Sequence, residues 1–278
     1  TIIYFKEKSK NFLSKFGNED IKMRMTAKFL RKDRPTLTCM VQARTGERIL
    51  ELIEKGLDGG ADAFGVQLEQ LEFEYRTRDW MKKIFSATDG KPVYVTNYRS
   101  GINEGISDED RAKELISAAE CGAALIDITG DWYNQTNGEL TFDTAAVEKQ
   151  KQFISDIHRL GAEVLMSSHT FRFMPKERAF EYINEQHSRG ADIAKLVSAA
   201  NDDYELAENM SISAELSKDN HLPALFLCVG DFCKRHRITA SLICGGMFLC
   251  VIEHDELATP VQPLLSDAKA AVELVYGE

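Results

Sequence analysis

Cysteine is scarce in this 278-residue chain, with six residues at 39, 121, 228, 233, 244 and 250 and no C-x2-C pair among them. A disulfide-built scaffold is therefore excluded, and the spacings match no zinc module. Cys244 and Cys250 stand in apolar runs, where cysteine packs as a small hydrophobe, so reduced thiols and no bound metal are expected. No apolar run approaches the roughly 20 residues of a membrane helix, and the opening TIIYFKEKSKNF is too charged for a signal peptide, which favours the cytoplasm. Positive charge is in deficit: 34 Lys and Arg stand against 44 Asp and Glu, for a formal net charge of -10. Such a surface does not favour nucleic acid or anionic lipid, so a small-molecule substrate is expected. Neither G-x-G-x-x-G nor G-x-x-x-x-G-K-[ST] follows the first apolar run, which weakens a nucleotide-binding reading.

What the chain does have is alternation. Short apolar runs are expected as strands at Leu37–Gln42, Ala63–Leu68, Val93–Asn97, Ala124–Thr129, Glu163–Ser168, Asp192–Ser198, Ala224–Cys228 and Leu242–Phe248. Between and after them, helices are expected near 45–58, 72–87, 108–121, 142–160, 175–189, 201–217, 231–240 and 262–276, each with apolar residues three and four apart. Glycines precede several strands, as at Gly59-Gly60, Gly122, Gly161 and Gly190, where a helix must end and the chain turn. Eight strands and eight helices in alternation fit a (β/α)8 TIM barrel over residues 36–278, although an open doubly wound sheet shares the same grammar. Residues 1–35, rich in Lys, Arg and Phe, read as an N-terminal extension: a helix or hairpin that caps the barrel bottom, an adaptor for a neighbouring subunit, or equally a partly ordered tail.

Three segments carry chemistry. In Ala191-Asp-Ile-Ala-Lys-Leu-Val197 a lysine interrupts an apolar strand, and alternation puts Ile193, Lys195 and Val197 on one face. Burial disfavours the charged form of an amine, and the neutral amine is the form that attacks a ketone to give an imine. A lysine that snorkels to solvent or pairs with a carboxylate is the plainer alternative. One unit earlier, Glu163–His169 ends a strand in histidine, where the catalytic groups of such barrels gather and where imidazole suits proton transfer. The other five histidines fall in helices or loops and read as surface groups. Val95-Thr-Asn-Tyr-Arg99 runs into the loop Ser100–Gly105, presenting an arginine and an acid, and Lys234-Arg-His-Arg237 can hold an anion or form a solvated helix face.

Together these segments resemble the type I 3-dehydroquinate dehydratases. Met166-Ser-Ser-His-Thr-Phe171 is similar to the family's S-x-H-x-F, Gly190-Ala-Asp-Ile-Ala-Lys195 to its G-A-D-I-x-K, and Thr96–Gly105 to its F-T-x-R-x-x-x-E-G-G. The resemblance implies a cofactor-free, homodimeric lyase of a cyclic β-hydroxy keto acid. It implies Lys195 as the imine former, His169 as proton shuttle and Glu104 as the loop acid. Arg99, Arg237 and Gln262 would hold the carboxylate and hydroxyls, with Gln67 and Glu69 at the second strand.

The departures from the family pattern are specific. E-[WF]-R-x-D reads Gly65-Val-Gln-Leu-Glu69, so a substrate-facing Glu and Arg are replaced by Gly65 and Gln67, and a cavity is expected at Gly65. Glu104 is the loop acid only with one residue inserted; at direct register the position is Asn103. The serine four before the family's glutamine is Ala258. The altered shell keeps two further readings open: another Schiff-base lyase or aldolase on a different substrate, and a non-catalytic ligand-binding barrel.

Overall fold

Burial within each apolar run determines what the strands build. The computed structural model describes residues 27–218 and 223–277. Its strands are β1 Thr36–Val41, β2 Ala63–Gln67, β3 Val93–Thr96, β4 Leu125–Thr129, β5 Glu163–His169, β6 Ile193–Ala199, β7 Ala224–Val229 and β8 Met247–Cys250. The helices after them are α1 Gly46–Gly59, α2 Arg78–Ser86, α3 Asp108–Glu120, α4 Thr144–Arg159, α5 Lys176–Ser188, α6 Asp203–Lys218, α7 Cys233–Cys244 and α8 Leu265–Tyr276. All ladders are parallel, in the order β7-β6-β5-β4-β3-β2-β1-β8. Among the described residues no ladder joins β7 to β8, so the (β/α)8 barrel is nearly closed.

Both faces of the strands are covered, one by the other strands and one by helices. Met40, Tyr94, Leu125, Leu165, Ile193, Val197, Leu225 and Met247 pack together inside the barrel. Their neighbours one residue along, such as Cys39, Val95, Ile126 and Val164, pack outward against the helices. Truncating one such interior leucine to alanine costs roughly 2–5 kcal/mol, so the alternation fixes the register firmly. Phe29 lies beneath this core with its ring edge-on to Tyr94, centroids 6.4 Å apart. The N–H groups of Lys28 and Phe29 donate to the Glu163 carboxylate at 2.6 and 2.8 Å, which ties this segment to the first residue of β5. Residues 1–26 of the expected extension lie outside the described residues.

Local signals explain most boundaries and the differences from expectation. Thr45 caps α1 by accepting from the Arg48 N–H, and Gly60, at φ +85°, ends it in the left-handed region. The helix expected from residue 72 starts at Arg78, because Thr77 is its cap and 3-10 turns occupy Leu68–Gln70 and Phe73–Tyr75. The expected strand Leu242–Phe248 is wrong at its start. Residues 242–244 are the last turn of α7, which Gly245 ends at φ +68°, and β8 begins at Met247. A continuous apolar run carries no periodicity to separate helix from strand there. Helix α8 likewise starts at Leu265 rather than near 262, because Val251 and Leu264 first form a parallel bridge, the Val251 N–H donating to the Pro263 carbonyl and the Leu265 N–H to the Val251 carbonyl.

Candidate active site

Register brings the chemistry together at the C-terminal ends of the strands. Ser167 on β5 pairs with Lys195 on β6, and His169 with Val197. Inward alternation also puts Asp127 of β4 into the interior, two residues beyond Leu125. Lys195 is 5% exposed and Asp127 fully buried. The Lys195 ammonium finds an acceptor for each of its donors: Tyr98 Oη at 2.6 Å, Tyr94 Oη at 3.3 Å and Asp127 Oδ2 at 3.3 Å.

Asp127 organises this cluster. Its Oδ2 also accepts from the hydroxyls of Tyr94 and of Tyr98, the latter at 2.5 Å, while Oδ1 accepts from Ser167 Oγ at 2.6 Å. Four donors converge on one carboxylate, which stabilises it as the charged partner of a buried ammonium. Burial, reinforced by the Asp127 charge, pushes both phenols well above the ordinary tyrosine range, so they remain donors at neutral pH. Tyr94 is fully enclosed beneath the amine, whereas Tyr98 is half-buried at the mouth.

His169 sits beside this cluster and is fixed by an acid from another loop. Glu139 Oε2 lies 2.6 Å from His169 Nδ1 and accepts the His169 backbone N–H at 3.0 Å. A carboxylate accepts only, so Nδ1 carries the hydrogen and Nε2 is left to exchange a proton. The ring stands edge-on to Tyr98, centroids 5.1 Å apart, and stacks on Phe171 at 6.0 Å. Ser168 Oγ donates to the Glu139 carbonyl at 2.7 Å, which joins the β4–α4 loop to the end of β5.

The remaining expected residues divide. Arg237 is buried, its Nε donating to the Cys228 carbonyl at 3.0 Å, and among the described residues no carboxylate lies within ion-pair distance of it. Burial pulls its pKa down from the usual arginine value, yet guanidinium stays charged. Gln262 is 6% exposed and its Oε1 is buried without a partner. Glu69 is buried, accepts from Thr96 Oγ1 at 2.9 Å through both oxygens, and is raised to about 7 by burial, with the nearby Asp127 charge adding to it. Gln67 accepts from Gln42 Nε2 at 2.7 Å, and the same Gln42 nitrogen donates to Thr259.

Two expected site residues and two subsidiary expectations are corrected by the geometry. Glu104 is exposed, and the acid on His169 is Glu139 instead; Asn103 is buried but donates to Asn97 Oδ1 and the Tyr98 carbonyl, a loop-building role. Arg99 gives its fork to Asp108 and Asp131, so Tyr98, one residue earlier, is the member of that segment that meets the lysine. The cavity expected at Gly65 is filled: a Cβ there would collide with Met40 Sδ and stand 3.1 Å from Tyr94 Cδ1. Of the histidines read as surface groups, His236 is fully buried against Phe226 and Ser213, and burial lowers it to about 4; His221 lies outside the described residues. Asp127, Tyr94, Tyr98 and Glu139 were missed by the sequence reading. Asp127 alone carried a visible signal, as a charge inside the apolar run Leu125–Thr129.

A parallel barrel with a buried lysine in the middle of β6 and a paired histidine at the C-terminal end of β5 carries its chemistry-bearing residues toward the end of the fold where such barrels place their sites. The sequence profile of the family described as type I 3-dehydroquinase matches residues 37–278, and the chain belongs to that family, hence to the lyases. Its relatives include the 3-dehydroquinate dehydratase of Methanopyrus kandleri, 24% identical over 236 residues that cover 84% of this chain and 96% of the relative. Among solved structures, the type I 3-dehydroquinate dehydratase of Clostridium difficile superposes with a TM-score of 0.72 at 14% identity, covering 89% of this chain and 95% of that one. The 3-dehydroquinate dehydratase of Enterococcus faecalis gives 0.71 at 15% identity, over 88% and 95%. Among the described residues no helix is long and apolar enough to cross a membrane.

Proposed function

We propose that the protein dehydrates a cyclic β-hydroxy keto acid, 3-dehydroquinate or a close relative, through an imine on Lys195 with His169 as proton carrier. The observation that carries this is the buried amine at the barrel mouth, one strand away from a histidine whose Nδ1 is fixed by Glu139 and whose Nε2 is left to exchange protons. The ketone condenses with Nζ and loses water. The iminium so formed acidifies the neighbouring carbon, His169 takes that proton, and the enamine expels the β-hydroxyl, which leaves as water with the proton His169 returns. Hydrolysis of the product imine frees the lysine. These steps balance without a metal or nucleotide. Arg237, whose guanidinium has no carboxylate beside it among the described residues, and Gln262, whose buried Oε1 has no partner there, are suited to the carboxylate and a hydroxyl of such a substrate. A cytoplasmic homodimer is the accompanying reading, supported by the family resemblance.

A second reading, a Schiff-base lyase or aldolase on another ketone, is favoured by the altered shell at Gly65 and Gln67. Both are tested by incubating the enzyme with 3-dehydroquinate and related keto acids, adding borohydride, and mapping the adduct by mass spectrometry. A stable mass on the Lys195 peptide is expected, and His169→Ala is expected to keep that adduct while elimination slows at least about a hundredfold. An adduct on another lysine, or none with a ketone that is turned over, overturns the imine.

A further inference from the structure

We propose that Tyr98 is a second proton carrier of this site, its hydroxyl serving as general acid and base for making and breaking the imine on Lys195, with His169 left to serve the carbon and the leaving hydroxyl. The inference rests on the imine reading above. Imine formation needs protons at a place His169 does not touch. As Nζ attacks, the carbonyl oxygen takes up a proton to become the carbinolamine hydroxyl, and it must take up another before it departs as water. That oxygen is two bonds from Nζ, so its proton donor has to lie within hydrogen-bond reach of the nitrogen's immediate surroundings.

Tyr98 Oη meets this requirement at 2.6 Å from Nζ, the shortest of the amine's contacts. His169 makes no hydrogen bond to Lys195; its Nδ1 is held by Glu139, and its ring lies against the Tyr98 ring rather than the amine. The phenol retains its proton at neutral pH, because burial and the Asp127 charge oppose ionisation, so the donor is loaded when the carbinolamine forms. The charges also balance. Both protons come from the ammonium: Tyr98 passes one from Nζ to the carbonyl oxygen as the amine attacks and a second from the protonated nitrogen to the carbinolamine hydroxyl, which leaves as water, so the phenol ends with its own proton and the positive charge ends on the iminium. In the reverse direction the same phenol relays the two protons of the attacking water back to the nitrogen during product hydrolysis, restoring the ketone and the ammonium. Asp127, bonded both to Tyr98 Oη at 2.5 Å and to Nζ at 3.3 Å, links phenol and amine without intervening solvent.

Tyr94 offers the same functional group and does not fit the role. It is fully buried below the amine, its ring packed on Phe29, and the substrate oxygen arrives from the mouth. Tyr94 is a fixed donor to Asp127, whereas Tyr98 stands between the amine and the open end of the barrel.

The test is rapid-quench borohydride trapping with 3-dehydroquinate, following the rate at which the Lys195 adduct appears. Tyr98→Phe, which keeps the ring, is expected to slow adduct formation at least about tenfold, with partial recovery on adding small acids such as imidazolium. Tyr94→Phe and His169→Ala are expected to trap within about twofold of the wild-type rate. A wild-type trapping rate in Tyr98→Phe overturns the proposal while leaving the imine in place. So does an equal slowing in Tyr94→Phe, which would trace the effect to Asp127 losing a donor rather than to proton delivery. Absence of any Lys195 adduct in the wild-type enzyme overturns the imine reading and this inference with it.

Discussion

Glu139 closes on His169 twice through one oxygen, taking the ring Nδ1 at 2.6 Å and the backbone N–H at 3.0 Å. The backbone of Glu139 sits at φ +53°, a conformation that side chains other than glycine adopt sparingly. A loop that holds such a residue and bonds it to the next strand at three points, counting Ser168 to the Glu139 carbonyl, has fixed the acid to the histidine rather than left it to find it.

The first prediction follows from that geometry. Glu139 acts through His169, so Glu139→Gln is expected to lower kcat by at least about tenfold with little change in KM, because an amide can turn its NH2 toward Nδ1 and favour the wrong tautomer. Glu139→Asp is expected to recover part of the loss. Borohydride trapping on Lys195 should be unaffected. Steady-state kinetics on the three enzymes decide it, and a change confined to KM would assign Glu139 to substrate contact instead.

How much of this could be read from sequence depends on the distance over which each feature is encoded. Lys195 is visible because a charge inside Ile-Ala-Lys-Leu-Val breaks a local pattern, and alternation alone then puts it on the face of Ile193 and Val197, inside the barrel. His169 is visible as the last residue of its strand. Glu139 is not, since it comes to His169 across 30 residues from a loop with no period of its own. Tyr98 was hidden by register: Asn97, Tyr98 and Arg99 sit consecutively past β3, and which of them meets the lysine depends on how the strand ends and on Asp108 and Asp131 claiming the arginine. The filled space at Gly65 depends on Met40 from the neighbouring strand, a packing relation that no single segment encodes. The start of strand β8 is not legible, because helix and strand run together from Leu242 to Phe248 without a polar break.

Stability against pH provides the next prediction. Glu69 is held at about 7 against an ordinary value of 4.5, chiefly by burial, so between those values the folded chain keeps a proton that the unfolded chain has released. Stability from this group therefore falls as pH rises through that window, by on the order of 3 kcal/mol. His236, lowered by burial from 6.5 to about 4 beside Arg237, acts in the opposite sense: the unfolded chain binds the extra proton, and stability rises over that interval. The two contributions oppose each other up to about 6.5, and Glu69→Gln separates them. Urea unfolding of both proteins at pH 5 and pH 8 should find the variant's advantage larger at pH 8 by about 2 kcal/mol. An equal difference at both pH values would mean that Glu69 is not carrying the proton.

The last prediction concerns 3-dehydroquinate itself, which should be turned over poorly despite the family to which the chain belongs. The family pattern places a Glu and an Arg where this chain has Gly65 and Gln67, and nothing nearby replaces them. Met40 occupies the space over Gly65, the Gln67 carbonyl oxygen already accepts from Gln42, and Arg99 is bound by Asp108 and Asp131. On the proposed reading a polyhydroxylated ring would have Arg237, Gln262 and Tyr98 to bond to, fewer charged partners than the family pattern provides. Losing two charge-assisted contacts at roughly 1.5–3 kcal/mol each weakens transition-state binding by about two to four orders of magnitude. Restoring the glutamate by Gly65→Glu is not expected to rescue activity, because the side chain would have to displace Met40. A keto acid with fewer hydroxyls and an apolar edge toward Met40 should be the better substrate. The assay follows the conjugated enone in the ultraviolet. A kcat/KM on 3-dehydroquinate at or above ~10^4 M⁻¹s⁻¹, the lower end of the ordinary enzyme range, would mean that Tyr98 and the three glutamines, Gln42, Gln67 and Gln262, bind the ring hydroxyls as well as the missing charges would have done.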